Sequence, residues 1–219
     1  MAIEILPATE ADCPRLAQID KAAFESGSDS AFEHVLFPAS GADDASAAKE
    51  VIFTRAMRED PSARFIKAVD GNLSLDAAVV GWAKWHLYDG ERGMPPAPAE
   101  RKWDAAGFNA EACREFFGGV DRVKNKVMAG RRCIYLQPVA TDPAHQRRGV
   151  GRQLMEWGLD EAARAGLPAY LVASPDGYPL YVRCGFVDVE EVQMDFTRFG
   201  VPRVCTSTLM VRELPRASR

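Results

Sequence analysis

The segment from Cys133 to Ala165 constrains the fold of this 219-residue chain more than any other stretch. It begins with an apolar run, Cys133–Val139, which is typical of a buried strand, and then passes through a polar turn. Residues 150–165 place apolar side chains at every third or fourth position, which predicts an amphipathic helix that ends before Gly166 and Pro168. A strand, a turn and a helix in this order predict a layered protein in which helices cover a sheet.

The other apolar patterns extend this unit into a complete fold. Strands are expected at 3–6, 64–70, 79–87, 133–139, 169–173, 186–195 and 205–212, and helices at about 9–24, 45–57, 109–117, 150–165 and 178–184. This order predicts an α+β (α/β layered) chain, with a mixed, mostly antiparallel central sheet of about seven strands flanked by helices. We expect a single domain over residues 1–219, with an insertion at about 88–130.

Charge and composition exclude several classes of protein. The chain has 27 basic and 31 acidic residues, a net charge of −4, which argues against a dedicated nucleic-acid-binding protein. No apolar run is long enough to span a membrane, and the N-terminus lacks the pattern of a secretory signal. We therefore expect a cytoplasmic, reducing location. The five cysteines and three histidines are widely scattered, so no metal site is expected.

The loop Gln146–Gly151, with the sequence Q-R-R-G-V-G, is the strongest binding motif in the chain. Its glycines allow the backbone to approach a ligand closely, and the helix that follows presents free N–H groups to an anion. Eight basic residues and one acidic residue lie between Arg122 and Arg152, which also favours an anionic ligand. Arg152 and Gln153 stand where a Walker P-loop has Lys and Ser/Thr, and Leu154 stands where a dinucleotide fingerprint has its third glycine. The loop therefore predicts a cradle for a pyrophosphate of another kind.

Two neighbouring stretches distinguish this cradle from an ordinary glycine-containing turn with solvated arginines. Residues 134–154 supply a strand, the loop and a helix, and Tyr178–Phe186 follows with a tyrosine-bearing segment that ends in Gly-Phe. In order and spacing the chain resembles the GNAT-superfamily N-acetyltransferases. The resemblance implies the GNAT-like acyltransferase fold, acetyl-CoA as the donor, an amine as the acceptor and no metal. It leaves open whether the protein is a monomer or a homodimer.

The resemblance also implies a set of cofactor-binding positions. The backbone of Val139 would pair with the pantetheine arm, and the loop would hold the pyrophosphate. Ser174 stands where the family often has an Asn that contacts the cofactor. The full set is Val139, Ala140, Thr141, Gln146, Arg147, Arg148, Gly149, Val150, Gly151, Arg152, Ser174, Tyr178 and Tyr181.

Acetyl transfer to an amine needs a base, a polarised thioester carbonyl and a proton for the departing thiolate. The resemblance assigns the last role, that of general acid, to Tyr181. Relatives commonly use a Glu as the base, but the matching strand here carries Gln137, so the base is open. His86 is a candidate for it, and Asp195 and Glu190 are alternatives.

The aromatic residues Trp82, Trp85 and Tyr88 share a predicted strand with His86, and they are expected either to line an acceptor pocket or to pack in the core. We expect the protein to transfer an acetyl group from acetyl-CoA to a primary amine of a small molecule or peptide by direct nucleophilic attack. Two alternatives stay open. One is a catalytically inactive acyl-CoA-binding or regulatory module, which the missing strand carboxylate leaves open although Tyr181 favours an enzyme, and the other is an acyltransferase with a different acyl donor.

Overall fold

The computed structural model describes residues 3–27, 30–38, 42–74, 77–98, 108–201 and 204–214. The strands within these ranges are β1 (Ile3–Pro7), β2 (Ala63–Asp70), β3 (Val79–Tyr88), β4 (Cys133–Thr141), β5 (Ala169–Ala173), β6 (Val187–Asp195) and β7 (Val204–Arg212). They form one seven-stranded sheet in the order β1-β2-β3-β4-β5-β7-β6. Every neighbouring pair is antiparallel except β4 and β5, which are parallel.

Six α-helices in the described residues cover this sheet. They are α1 (Cys13–Glu25), α2 (Ser30–Leu36), α3 (Ala42–Glu59), α4 (Ala110–Met128), α5 (Val150–Ala165) and α6 (Tyr178–Arg183). The predicted α+β class, with a mixed, mostly antiparallel sheet of seven strands, is confirmed.

The alternation of side chains along the central strands assigns the helices to opposite faces of the sheet. Leu154 and Met155 of α5 pack with Ala83, Leu136 and other strand residues of one face, and α6 joins this layer. The opposite face carries Phe65 and Trp82 under α1 and α3, and Tyr135 under α4. The centre of the sheet is therefore covered on both sides, and Trp82 and Trp85 of β3 are both buried although they point to opposite faces.

The segment 88–130 contains a longer helix than the sequence predicts. Asn109 caps α4 through its side-chain oxygen, which accepts a hydrogen bond from the Ala112 amide at 3.2 Å. The helix then continues through Gly118 and Gly119, where the sequence pattern predicts that it ends. A Cβ at position 119 would lie 2.9 Å from the Met194 sulfur, so close packing of α4 on β6 requires glycine there. Gly119 serves this contact, and neither glycine ends the helix.

Two further findings concern only the described residues. None of their helices is long and apolar enough to cross a membrane. No group of three or more His, Cys, Asp or Glu side chains among them is arranged to hold a metal ion. None of the five cysteines forms a disulfide bond, and four of them are buried.

Candidate active site

The central feature of the site is an opening in the sheet between β4 and β5. The two strands pair from Ile134 to Leu136 and from Ala169 to Leu171, and the pairing ends there although both strands continue. On its other edge β4 contains a bulge, because Leu136 and Val139 of β4 lie opposite Trp85 and Ala83 of β3, so β4 has one extra residue. The bulge bends β4 away from β5. On the edge of β4 that faces β5, the backbone groups of residues 137–141 therefore have no strand partner and face the opening.

A cavity of about 1800 Å³ passes through this opening and reaches both faces of the sheet. We call its part beside α5 and α6 the loop end, lined by Val139, Thr141, Gly149, Gly151 and Tyr181. The part beneath α1 to α4 is the helix end, lined by Asp20, Glu33, Phe37, Lys49 and Phe108. His86 and Tyr88 of β3 also line the cavity, on the sheet face that belongs to the helix end.

The loop before α5 presents backbone N–H groups to the loop end of the cavity. Gly149 precedes the helix in the left-handed conformation, at φ +84°, and a Cβ at this position would meet no atom within 4 Å. The first intrahelical hydrogen bond runs from the Gln153 amide to the Gly149 carbonyl, so the amides of Val150, Gly151 and Arg152 have no partner in the helix. Free amides at a helix N-terminus form an anion-binding site.

The three arginines of the loop have different surroundings. Arg147 and Arg152 line the cavity, and the Arg152 side chain pairs with Glu156 at 2.7 Å on the surface. Arg148 instead contacts the buried carboxylate of Asp70 at the end of β2. The hydrogen bond from Arg148, together with those from the backbone and side chain of Asn72, lowers the pKa of the Asp70 carboxyl to about 2. Arg148 thus anchors the loop to the sheet, and it is not among the residues that line the cavity.

Tyr181 and Tyr178 of α6 are separated by one helical turn, but they face different surroundings. Tyr181 is buried and lines the loop end, with its ring so close to Gly177 that a Cβ there would lie 2.7 Å from the ring. Burial raises the pKa of the Tyr181 phenol, which keeps it protonated. The Tyr178 hydroxyl donates to Asp188 at 3.0 Å and is not among the cavity-lining groups. Ser174 lines the cavity, and its hydroxyl accepts from the Gly177 amide at 3.3 Å.

His86 is held by a short chain of hydrogen bonds. Its Nδ1 lies 2.9 Å from the Ser62 hydroxyl oxygen, and that oxygen lies 2.6 Å from Oδ1 of Asp60. A carboxylate only accepts, so Ser62 donates to Asp60 and accepts the Nδ1 proton of His86. The lone pair of the imidazole is therefore on Nε2, which is buried and has no hydrogen-bond partner among the described residues.

The charges around His86 favour its neutral form. Burial lowers the pKa of His86 to about 3, and the nearby ammonium groups of Lys84 and Lys124 act in the same direction, against the opposing effect of Asp60. The ring stacks on Tyr88, with the ring centroids 5.6 Å apart. Near neutral pH His86 is therefore a neutral imidazole that can accept a proton at Nε2.

The structure assigns the three aromatic residues of β3 to different places. Trp82 packs against Phe53 and Phe65 with no exposed surface, and Trp85 packs over Gly158 on the opposite face of the sheet. Neither indole lines the cavity, so the expectation of an acceptor pocket there is corrected in favour of the core. Tyr88 does line it. Trp82 and Trp85 are buried because helices cover both faces of the sheet at its centre.

The alternative bases on β6 lie at the edge of the sheet. Glu190 pairs with Lys126 at 2.8 Å, and Asp195 accepts hydrogen bonds from the backbone and hydroxyl of Thr197. Neither carboxylate is among the groups that line the cavity, whereas His86 is. Of the candidates for the base, His86 alone is thus placed along the cavity.

Sequence reasoning did not identify the charged cluster at the helix end. Lys49 of α3 donates to Asp20 of α1 at 2.7 Å and to Glu33 of α2 at 2.6 Å. Burial raises the pKa of Glu33 despite the neighbouring Lys49 ammonium. No local signal marks these residues, since each belongs to a different helix. The segment from Met94 to Pro98, within the insertion, also lines the cavity.

Comparison with a family of known proteins gives a direct match. The family model described as "Acetyltransferase (GNAT) family" matches residues 30–186, which include the loop before α5 and both tyrosines of α6. This range covers well over half of the chain.

Solved structures share the whole fold. An acetyltransferase of Corynebacterium glutamicum, described as histone acetyltransferase HPA2 and related acetyltransferase, is 20% identical with a TM-score of 0.60, covering 99% of this chain and 100% of its own. The protein yncA of Salmonella typhimurium, solved with its cofactor acetyl-CoA, is 17% identical with a TM-score of 0.53, covering 100% and 98%. The PaiA N-acetyltransferase of Thermoplasma acidophilum, solved with coenzyme A, is 11% identical with a TM-score of 0.54, covering 98% and 100%. At these identities the likeness concerns the fold.

Proposed function

Because the chain belongs to the GNAT acetyltransferase family, we propose that it transfers an acetyl group from acetyl-CoA to a primary amine of a small molecule or peptide. The amine would attack the thioester directly, so that no acetyl group is carried by the protein. One observation carries the proposal: a single cavity joins the amides in the first turn of α5, the open edge of β4 and the two side chains Tyr181 and His86.

The residues of the loop end fit a CoA molecule. The amides of Val150, Gly151 and Arg152 supply donors for a pyrophosphate, and the open space around Gly149 leaves room for it. The edge of β4 at residues 137–141 offers N–H and C=O groups to an extended arm with amide groups of its own. When bound, the cofactor supplies the activated acetyl group.

Tyr181 is proposed as the general acid. A thiolate that leaves into a buried site is costly unless it receives a proton or a hydrogen bond. The phenol is buried and protonated, and it lines the cavity beside Gly177, the residue before α6. These properties suit a group that donates a proton when the tetrahedral intermediate collapses.

His86 is proposed as the base. Its Nε2 carries a lone pair, and the chain of hydrogen bonds through Ser62 to Asp60 fixes the ring in this tautomer. A proton taken up at Nε2 is stabilised by the carboxylate of Asp60, whose Oδ2 lies 3.4 Å from Nδ1. This role would compensate for Gln137, which occupies the position of the carboxylate found in relatives.

Free thiol release from acetyl-CoA, measured across a panel of amines, tests the proposal. We expect release that depends on the amine, and a stable acetylated amine as the second product. Calorimetry with CoA, in the absence of any amine, tests the loop end separately. CoA binding without thiol release from any amine would favour the inactive binding module, and faster release from a longer acyl-CoA would favour another donor.

A further inference from the structure

The side chains of Asp20, Glu33 and Lys49 form a buried cluster at the helix end. The cluster contains more acidic groups than basic ones. The exposed fractions of the three side chains are 7% for Asp20, 12% for Glu33 and 9% for Lys49. One ammonium faces two carboxyl groups, at 2.7 Å from Oδ2 of Asp20 and 2.6 Å from Oε1 of Glu33. With both carboxyl groups ionised, the cluster carries one excess negative charge.

One fully buried atom of the cluster has no partner. Oδ1 of Asp20 is buried, and within the described part of the chain no group donates a hydrogen bond to it. Oδ2 of the same carboxylate accepts from Lys49, and the residue as a whole is 5% exposed. A buried carboxylate oxygen without a donor is costly, and this cost is removed by a ligand that supplies one.

The walls around the cluster limit the kind of ligand that fits. The ring of Phe37 lies 4.6 Å from the Lys49 ammonium and that of Phe24 lies 5.9 Å from it, measured to the ring centroids. Phe32 and Phe53 line the same cavity. Aromatic faces attract cations and favour apolar chains. A ligand with an aliphatic body and a positively charged N–H donor satisfies both the walls and the free oxygen.

The position of the cluster implies that the charged group of the ligand which binds there is not the nitrogen that reacts. Asp20, Glu33 and Lys49 belong to three helices, whereas the attacking amine must reach the opening between β4 and β5. We propose that the acceptor carries, besides the amine that is acetylated, a second positively charged group that donates to Oδ1 of Asp20. This inference rests on the proposed function and names the class of acceptor: an aliphatic diamine or a compound with the same two charges.

Matched acceptors test the inference first in the unaltered protein. Diaminobutane and diaminopentane are compared with butylamine, pentylamine and aminobutanol by thiol release from acetyl-CoA. We expect kcat/KM for the better diamine to exceed that of its matched monoamine by about tenfold to a hundredfold, as one charge-assisted hydrogen bond in a buried site provides. Equal values for diamine and monoamine would overturn the inference.

Two variants that each remove one carboxylate partner of Lys49 distinguish recognition from stability. Asp20→Asn and Glu33→Gln each remove one charge from the pair with Lys49, but of these two carboxylates only that of Asp20 has a buried oxygen without a donor. We expect the diamine preference to fall about tenfold or more in Asp20→Asn and to persist in Glu33→Gln. An equal loss in both variants, or a preference retained in Asp20→Asn, would contradict recognition by Asp20.

Binding measurements keep the inference separate from the proposed activity. Calorimetric titration of diaminobutane and butylamine into the CoA-saturated protein measures recognition without turnover. Tighter binding of diaminobutane supports the inference even if no acetylated product forms, in which case the proposed activity fails alone. Failure of both diamines to bind more tightly than the monoamines, in a protein that binds CoA and acetylates another amine, overturns the inference and leaves the proposed function intact.

Discussion

The loop end and the helix end of the cavity present ligands with different kinds of groups. At the loop end the donors are backbone amides in the first turn of α5, and the nearby Arg147 and Arg152 are exposed. At the helix end the polar groups are charged side chains buried among phenyl rings. Backbone amides recognise any phosphate of suitable shape, whereas buried side-chain charges discriminate between acceptors. The first end therefore suits a constant cofactor, and the second suits a particular acceptor.

Substitution of Tyr181, which lines the loop end of the cavity, should have the largest effect. Tyr181→Phe removes one oxygen and keeps the ring, so kcat should fall ~10²–10⁴-fold while CoA affinity holds. Steady-state kinetics and calorimetry measure the two quantities. Tyr178→Phe is the matched control, because its hydroxyl is bonded to Asp188 outside the cavity, and it should be nearly silent. Near-normal turnover in Tyr181→Phe would remove this residue from the chemistry.

The proposed base on β3 should give the next largest effect. His86→Gln should lower kcat roughly 10²-fold or more, because the ammonium form of the acceptor then loses its proton only to water. Ser62→Ala breaks the hydrogen bond that fixes the tautomer, and it should lower kcat about tenfold, with recovery in Ser62→Thr.

The pH profile checks the role of His86 independently. The folded-state pKa of about 3 lies below the ordinary value of 6.5, so His86 stays a neutral base as the pH falls through 6.5. Protonation of His86 should therefore lower kcat/KM only at a pH well below 6.5. Unchanged kcat in a folded His86→Gln protein would show that another group takes the proton.

Substitution of Gly151, at the loop end, should weaken the binding of CoA and leave the binding of the acceptor unchanged. Gly151→Asp introduces a Cβ 3.3 Å from the Leu180 side chain, and it adds a negative charge where the phosphates are proposed to bind. Binding of CoA should weaken by about 1–3 kcal/mol, or roughly fivefold to 150-fold. Gly151→Ala adds the Cβ without the charge, so the difference between the variants measures the electrostatic part. CoA affinity unchanged by Asp would contradict the anion cradle.

The same contrast explains which parts of the site could be predicted from the sequence. The loop is contiguous and contains its own glycines, so residues 146–151 indicate an anion cradle without knowledge of the fold. The cluster of Asp20, Glu33 and Lys49 forms only when α1, α2 and α3 pack together. The three residues are spaced 13 and 16 positions apart in the chain, and no local pattern connects them.

The strands show a second limit of sequence reasoning. The alternation along β3 predicts which side chains share a face, but it does not tell which part of that face stays uncovered. Trp82 shares its face with His86, yet Phe53 and Phe65 cover the indole while His86 and Tyr88 reach the cavity. The fold class could be predicted, because it depends on the order and period of the elements.

The smallest effect is expected from Arg148, which belongs to the loop in sequence but to the sheet in its contacts. Arg148→Ala should weaken CoA binding less than Arg147→Ala or Arg152→Ala does, because only the latter two residues line the cavity. Calorimetry at two salt concentrations measures this, since an arginine near the phosphates also makes affinity depend on salt. A loss in Arg148→Ala that equals the losses in the other two variants would contradict the division of roles.

The effect of Arg148 on stability should depend on pH in a way that identifies its partner. The Asp70 carboxyl has a folded-state pKa of about 2 against an ordinary value of 3.8, so the unfolded chain binds more protons between these values. The stabilisation is therefore complete above 3.8 and is lost as the pH falls towards 2. Arg148→Ala should be less stable than the parent above 3.8, and urea unfolding should show this difference shrinking at lower pH. Arg152→Ala, which breaks the exposed pair with Glu156, is the control and should be nearly neutral. A constant difference across the acid range would mean that Arg148 stabilises the loop by packing and not through the charge of Asp70.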